Sequence, residues 1–404
     1  MHVSSNKSIN VIVLGHWGGN IGHEMMAFGV ELAVREALHG RDFRIHRLEQ
    51  HQPFRIYPAG HPLRLLNVLG RHPFYRLDPL FQGIKRTVNR DDLSQWLWKQ
   101  TRARAYDLAI TAGGPAMAPS AFSSGTDGII MIHLHGAFKS NGIPVLNLSL
   151  GSAFPLERVP HRLEEEAGRL YLSRMVETSS VITVRDPVAS QIMKDIGSEC
   201  PLIACPATVC GRAFEVQYPP LRTDASGGTI ILNYQRKGAN NDWGQGVDAE
   251  AWADTLRTVI TRLKPRHQLE FVCHNLIELR LAEELAPDIP RHYPRSLEEY
   301  AALIARAKAG LVSRIHAAIP LASIGVAAIA VGTDSRLGTV EHMGLPAHYV
   351  KDVTADVLVE ALLAQLEQRK TERERLRDLR EETAAKYVRL VRANLGSEGV
   401  TWSR

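Results

Sequence analysis

The stretch GLVSRIHAAIPLASIGVAAIAVG, residues 310–332, decides how this chain reads. It is almost wholly apolar, glycine and alanine included, yet Arg314 and His316 interrupt it. Burying an unpaired cation is costly, so both residues need a partner or a function. Residues 310–313 read as a strand ending at Arg314. A short helix follows at 316–324, with Pro320 early in it, where a missing N–H is tolerated. Gly325 ends that helix, and 326–332 is the next strand. Arg314 and His316 then fall at the carboxyl end of a strand and the start of a helix. Free N–H groups and the helix dipole favour an anion there. Arginine adds a planar fork for phosphate or carboxylate. Histidine can donate to the anion or move a proton near neutral pH. The plain alternative is an Arg and a His satisfied by backbone carbonyls at a domain seam.

The same strand–helix rhythm fills the rest of the chain. Strands are expected at 9–15, 107–114, 143–151 and 180–186, with helices at 24–38, 126–139 and 160–177. Asp186-Pro187 starts a further helix that runs to Gly197: an N-cap Asp with Pro at the first helical position. Residues 208–228 lose the rhythm, and Pro219-Pro220 and Gly227-Gly228 mark a linker. The alternation then restarts with strands at 229–235 and 269–275 and helices at 248–263 and 276–286. Ser296 and Glu299 form a capping box for a helix at 297–308. Continuous apolar strands separated by helices indicate parallel sheets covered on both faces. The expected class is α/β, with two Rossmann-like domains at 8–212 and 226–368 around a central cleft. A charged helical segment at 369–404 is free to pack back across the first domain.

A chain of 404 residues suits two domains, and 45% hydrophobic with 23% charged residues argues against disorder. The net charge of +5 suits an anionic ligand but is too small to indicate nucleic acid. The four cysteines include no CxxC pair, so reduced thiols are expected rather than zinc. The N-terminal segment has too short an apolar run for a secretion signal, and 310–332 is too broken to span a membrane. A cytoplasmic location follows as an expectation.

SRIHAAIPLASIGVAAIAVGTDSR (313–336) resembles the Arg-x-His signature of the polysaccharide pyruvyl transferases. GGNIGHE (18–24) sits where that family has an Asn-x-Gly-Asp turn. TAGGPAM (111–117) resembles its glycine-rich loop, and PVLNLSLGSAFP (144–155) its Gly-x-x-x-Pro region. SSVITVRDPVASQIMKDIG (179–197) resembles its Ser-Val-x-Arg-Asp helix start. The likeness runs in order over most of residues 10–350.

The resemblance implies a fold like the two-domain GT-B glycosyltransferases. It also implies transfer of a pyruvyl group from phosphoenolpyruvate to a sugar of a surface polysaccharide or exopolysaccharide, with no cofactor and no metal. The donor carries phosphate and carboxylate, so cations and helix N-termini are wanted. Its vinyl carbon must be protonated and the sugar hydroxyl deprotonated, so acid–base groups are wanted. On this resemblance Arg314 binds the donor and His316 is the general acid or a phosphate ligand. Arg336 stands near the family's late lysine. Asn20 and Gly22 form a first-domain loop facing the acceptor, and Gly113 and Gly114 belong to the glycine-rich loop. Asp186 reads as a helix cap with Arg185 beside it at the strand end, and Arg185 stays among the candidate substrate-binding residues. His23 replaces the family's aspartate after Asn-x-Gly, with Glu24 adjacent, and CPATVC (205–210), with Ala207, lacks an expected aspartate. The acceptor base is then His23 or Glu24, or the reaction differs.

Other readings stay open at this level. A GT-B glycosyltransferase using a nucleotide sugar is one, and a non-catalytic sugar- or phosphate-binding relative is another. Nicotinamide binding is disfavoured because GGNIG is not GxGxxG. His133 and His135 read as core or surface residues. The basic, aromatic span 61–86 reads as amphipathic helices on the first domain or as a peripheral contact with the inner membrane face, where lipid-linked oligosaccharide acceptors reside. Oligomerisation is compatible with the sequence.

Overall fold

The computed structural model describes residues 8–17, 21–50, 53–57, 59–60, 62, 64, 105–119, 127–160, 162–220, 228–239 and 242–395. Apart from Pro62 and Arg64, the span 61–86 lies outside these residues, as does Asn20.

In the first half the elements are β1 (Ile9–Gly15), α1 (Ile21–Ala37), β2 (Phe43–Glu49), β3 (Leu108–Thr111), β4 (Gly114–Met117), α2 (Asp127–Ser140), β5 (Val145–Ser152), α3 (Glu166–Thr178), β6 (Val181–Val184), α4 (Pro187–Asp195) and α5 (Gly211–Gln217). The second half has β7 (Thr229–Asn233), α6 (Ala249–Leu263), β8 (Gln268–Val272), α7 (Leu276–Leu285), β9 (Arg291–His292), α8 (Leu297–Ile304), β10 (Ala307–Val312), α9 (Ile315–Ser323), β11 (Ala328–Gly332), α10 (Leu337–His342), β12 (Ala347–Tyr349), α11 (Ala355–Glu367) and α12 (Arg369–Asn394).

Both sheets are parallel, as the continuous apolar strands require. The first runs β2-β1-β3-β5-β4, with β6 also paired to β5. The second runs β12-β11-β10-β7-β8-β9. Counted from β7, that is the 3-2-1-4-5-6 order of a Rossmann sheet, whose direction reverses between β7 and β10. The chain therefore has the two Rossmann-like domains that the sequence predicts. The switch point lies where residues 310–332 enter the sheet, so the site must be sought beyond the ends of β7 and β10.

Several local expectations are corrected. Part of the expected linker is helical: Pro206–Cys210 forms a 3-10 turn and runs into α5. This segment is buried because Gly29 and Gly211 carry no side chain. A Cβ on Gly29 would lie 1.9 Å from the Pro206 carbonyl oxygen, and one on Gly211 1.8 Å from that of Ser323. The helix expected at 297–308 stops at Ile304, because Ala307 already pairs with β7. Pro320 lies inside α9, which starts at Ile315, so no N–H reaches back to the carbonyl of His316. The expected strand 107–114 divides into β3 and β4, separated by Gly113 in the left-handed region (φ 81°).

α12 ties the halves together. Leu376 packs in the core around α9, while Tyr387, Val388 and Val391 pack with α1 and β1. Arg380 donates to the carbonyl of Ser323 (3.0 Å), and the Tyr387 hydroxyl to that of Ala204 (2.8 Å). The charged segment thus packs back across the first domain with one face buried and the other in solvent. Among the described residues, no helix is long and apolar enough to cross a membrane.

Candidate active site

Four side chains from both halves meet at a cavity of about 140 Å³ beyond β10 and β11. Its wall includes His23 of α1, Arg314 and His316 at the start of α9, and Arg336 just before α10. Gln235, Ser313, Thr333 and Asp334 complete the polar part, and Pro115 of β4 adds an apolar edge. The sequence unit 310–332 puts Arg314 and His316 at the switch point, and the first domain supplies His23 from across the seam.

Arg314 is the N-cap residue of α9, and its Nε donates to the Glu278 carboxylate. Glu278 is itself buried. It also accepts from the His274 N–H (2.7 Å), Asn233 Nδ2 (2.9 Å) and Gln235 Nε2 (3.3 Å). A buried carboxylate this well supplied holds the guanidinium in a fixed place. Arg336 is held by Asp334 through Nε (2.7 Å) and Nη2 (2.6 Å), a two-pronged pair that also uses both carboxylate oxygens.

His316 is 7% exposed. Burial pushes its pKa well below the usual histidine value, and the charge of Arg185 adds to the effect, followed by His23, His274 and Arg336. The ring is neutral in the free protein at pH 7. Nη1 of Arg185 stands 3.5 Å from Nε2 of His316. Arginine can only donate, so this contact makes Nε2 the acceptor and leaves the ring proton on Nδ1.

Arg185 itself is not on the cavity wall. It follows β6 and is fully buried behind His316, with Nη1 also 3.2 Å from the Met26 sulfur. Nε and Nη2 have no hydrogen-bond partner among the described residues, and they press on Gly151, where a Cβ would fall 2.4 Å from Nε. Asp186 is a cap, as the sequence suggests: it accepts from the Ala189 N–H (2.8 Å) and from Ser152 Oγ (2.7 Å).

Other sequence candidates are placed differently. Gly22 lies in the first turn of α1 rather than in a loop, and a Cβ there would be 2.3 Å from Cβ of His316. Its role in the structure is close contact between the halves. Glu24 is not on the cavity wall. Arg47 is pushed up chiefly by its hydrogen bond to Glu31, and Glu24 contributes a smaller share. Gly113 allows a close approach to β5, where a Cβ would meet the Leu148 and Ser149 carbonyls at 2.7 Å, whereas Gly114 faces open space next to Pro115. Ala207 and Cys205 are fully buried in the core between α1 and α9, away from the cavity wall. All four cysteines are free. No cluster of metal-ligating side chains occurs among the described residues. His135 is a core residue, as read: Thr111 and Asn147 engage its two nitrogens and burial lowers its pKa to about 4.

The sequence reading missed Glu278, His274 and the pair His16–Glu49. His274 is buried at the end of β8, 5.4 Å from the Tyr300 ring, and burial lowers its pKa to about 4. His16 follows β1, and its Nδ1 is 3.1 Å from Glu49 at the end of β2. Their shared signal is position: each ends a parallel strand or starts the helix after it.

A two-domain, GT-B-like α/β protein with arginine and histidine side chains gathered at the switch point is the class that this fold and site define. The family model described as polysaccharide pyruvyl transferase matches residues 43–335, well over half of the chain. The chain belongs to that family. A comparison with curated proteins finds no match. Among solved structures, a UDP-N-acetylglucosamine 2-epimerase from Neisseria meningitidis bound to UDP-GlcNAc is similar at TM-score 0.53 and 12% identity, covering 95% of this chain and 99% of that one. A putative UDP-N-acetylglucosamine 2-epimerase from Listeria monocytogenes is similar at TM-score 0.53 and 10% identity, covering 96% of each chain. At such identities the likeness concerns the fold.

Proposed function

We propose that the protein transfers the pyruvyl group of phosphoenolpyruvate to a sugar in surface-polysaccharide assembly, forming a ketal and releasing inorganic phosphate. Family membership supports the reaction class, and the observation that carries the donor is the small cavity walled by Arg314, His316 and Arg336. A compact anion with phosphate and carboxylate suits about 140 Å³ and two fixed guanidinium groups. A nucleotide sugar needs more of the volume typical of ligand pockets.

The chemistry follows from these residues. Arg314 and Arg336 hold the donor's anionic groups. One sugar hydroxyl adds to C2 of the donor as C3 takes a proton and becomes a methyl group. The C2–O bond to phosphate then breaks, and a second hydroxyl closes the ketal, its proton balancing the departing phosphate. His316 is neutral in the free protein, with Nε2 turned to Arg185 and the ring proton on Nδ1. From Nδ1 it can donate to the phosphate oxygen, and C3 takes its proton from solvent. The acceptor is a sugar on a polymer or a lipid-linked oligosaccharide reached at the inner membrane face, with the enzyme on the cytoplasmic side.

Phosphate release from phosphoenolpyruvate, with and without candidate sugars, tests the reading. Wild-type protein should release phosphate in an acceptor-dependent way, and Arg314→Ala and His316→Ala should each lower kcat/KM by about 10²-fold or more. Retention of full activity by both variants would remove this site from the reaction.

A further inference from the structure

The proposed reaction needs a group to take the acceptor's proton, and the cavity wall offers few. Asp334 has both oxygens engaged by Arg336. Nε2 of His316 faces the Arg185 guanidinium. Glu24 does not line the cavity. His23 is the other histidine of the described wall.

His23 is also set in an ordered array. Its ring lies 4.8 Å from that of His16, tilted by 31°, and 5.4 Å from that of His316, nearly perpendicular at 83°. His16 is fixed in turn. Its Nδ1 is 3.1 Å from Glu49 Oε1, while Glu49 Oε2 accepts from the Trp17 N–H. An imidazole whose Nδ1 proton points at an anchored carboxylate has a set tautomer and ring plane. The ring of His23 thus lies between one imidazole hydrogen-bonded to a carboxylate and another buried at the start of α9.

Resting on the pyruvyl-transfer reading, we infer that His23 is the base for the acceptor hydroxyl and that Glu49, through His16, positions it. As the hydroxyl oxygen bonds to C2 of the donor, its proton passes to a ring nitrogen of His23 and the C2–C3 electron pair takes a proton at C3. His23 then returns its proton to solvent or to the departing phosphate. His16 and Glu49 are positioning residues and do not touch the donor. The charged and titratable groups around His23 are His16 after β1, Glu49 and Arg47 at the end of β2, Glu24 on its own helix, Arg314 and His316 on α9, Arg185 after β6 and Arg336 before α10.

The test compares His23→Ala, His23→Asp and Glu49→Gln in the full chain. His23→Ala should lower kcat by 10²- to 10⁴-fold while the Kd for phosphoenolpyruvate stays within about twofold. His23→Asp should recover part of kcat and move the acid limb of the pH–rate profile downward, since a carboxylate remains a base at lower pH than an imidazole. Glu49→Gln should lower kcat by about tenfold with KM for the donor unchanged, and should move the imidazole ¹⁵N signals of both His16 and His23 in the free protein. Wild-type kcat in His23→Ala, or an acid limb unmoved in His23→Asp, would overturn the inference. So would a Glu49→Gln spectrum in which His16 alone responds. The ¹⁵N comparison needs no substrate. A wild-type protein that fails to turn over phosphoenolpyruvate would defeat the reaction reading, while the spectra still decide the array.

Discussion

His316 shows how burial and charge act together on one side chain. It, His135 and His274 are all held with pKa values below that of free histidine, the last two at about 4, with burial the leading cause each time. The folded chain then binds fewer protons than the unfolded chain between about pH 6.5 and 4. Stability should be full above pH 6.5 and fall as the pH drops through that window, by up to about 1.4 kcal/mol per pH unit for each histidine. Thermal unfolding at pH 7.5 and pH 5 measures this, and equal midpoints would contradict it. Arg314 and His316 were legible in the sequence because charge inside an apolar run demands a reason. Glu278 was not. In the sequence it is one of many helix glutamates, and only folding brings it to Arg314, 36 residues away. Glu49 was hidden for another reason: among the described residues β2 pairs with β1 alone, and FRIHRLE carries charges and does not read as a buried strand.

α1 and α9 meet through Gly22, and this contact holds His23 beside His316. The helices share an apolar core in which Met25 and Met26 pack with Ile315, Ala318 and Ile319. Neither partner can yield easily, so Gly22→Ala should cost about 1–3 kcal/mol of stability and lower kcat through displacement of His23. Chemical denaturation and steady-state kinetics on the variant check both, and wild-type values in both would show that the close approach is not needed. The element pattern was readable wherever local chemistry is strong. Asp186-Pro187 caps α4 and Ser296 caps α8 as expected. It was not readable at 206–217, where proline, cysteine and glycine suggest a loop. There the helical turns depend on two glycines that admit the backbone between α1 and α9.

Over the whole molecule, the seam between the halves is built as core. Ser335 Oγ lies 2.6 Å from Ser152 Oγ and accepts from the Phe154 N–H (2.9 Å), while Leu156 donates to the Thr333 carbonyl (3.1 Å). α12 reaches both halves through Arg380 and Tyr387. An apolar, hydrogen-bonded seam of this kind favours a preformed cleft over wide opening. The sequence announced two parallel sheets but not this closure, because it depends on contacts between distant segments. On the proposed reading, a preformed cleft walled by Arg314, His316 and Arg336 takes a compact anion. Calorimetric titration of the free protein with phosphoenolpyruvate and, separately, with UDP tests that selection most directly. The account expects saturable one-to-one binding of phosphoenolpyruvate, weakened at least tenfold by Arg314→Ala, and no binding of UDP. Binding of UDP with no response to phosphoenolpyruvate would contradict it.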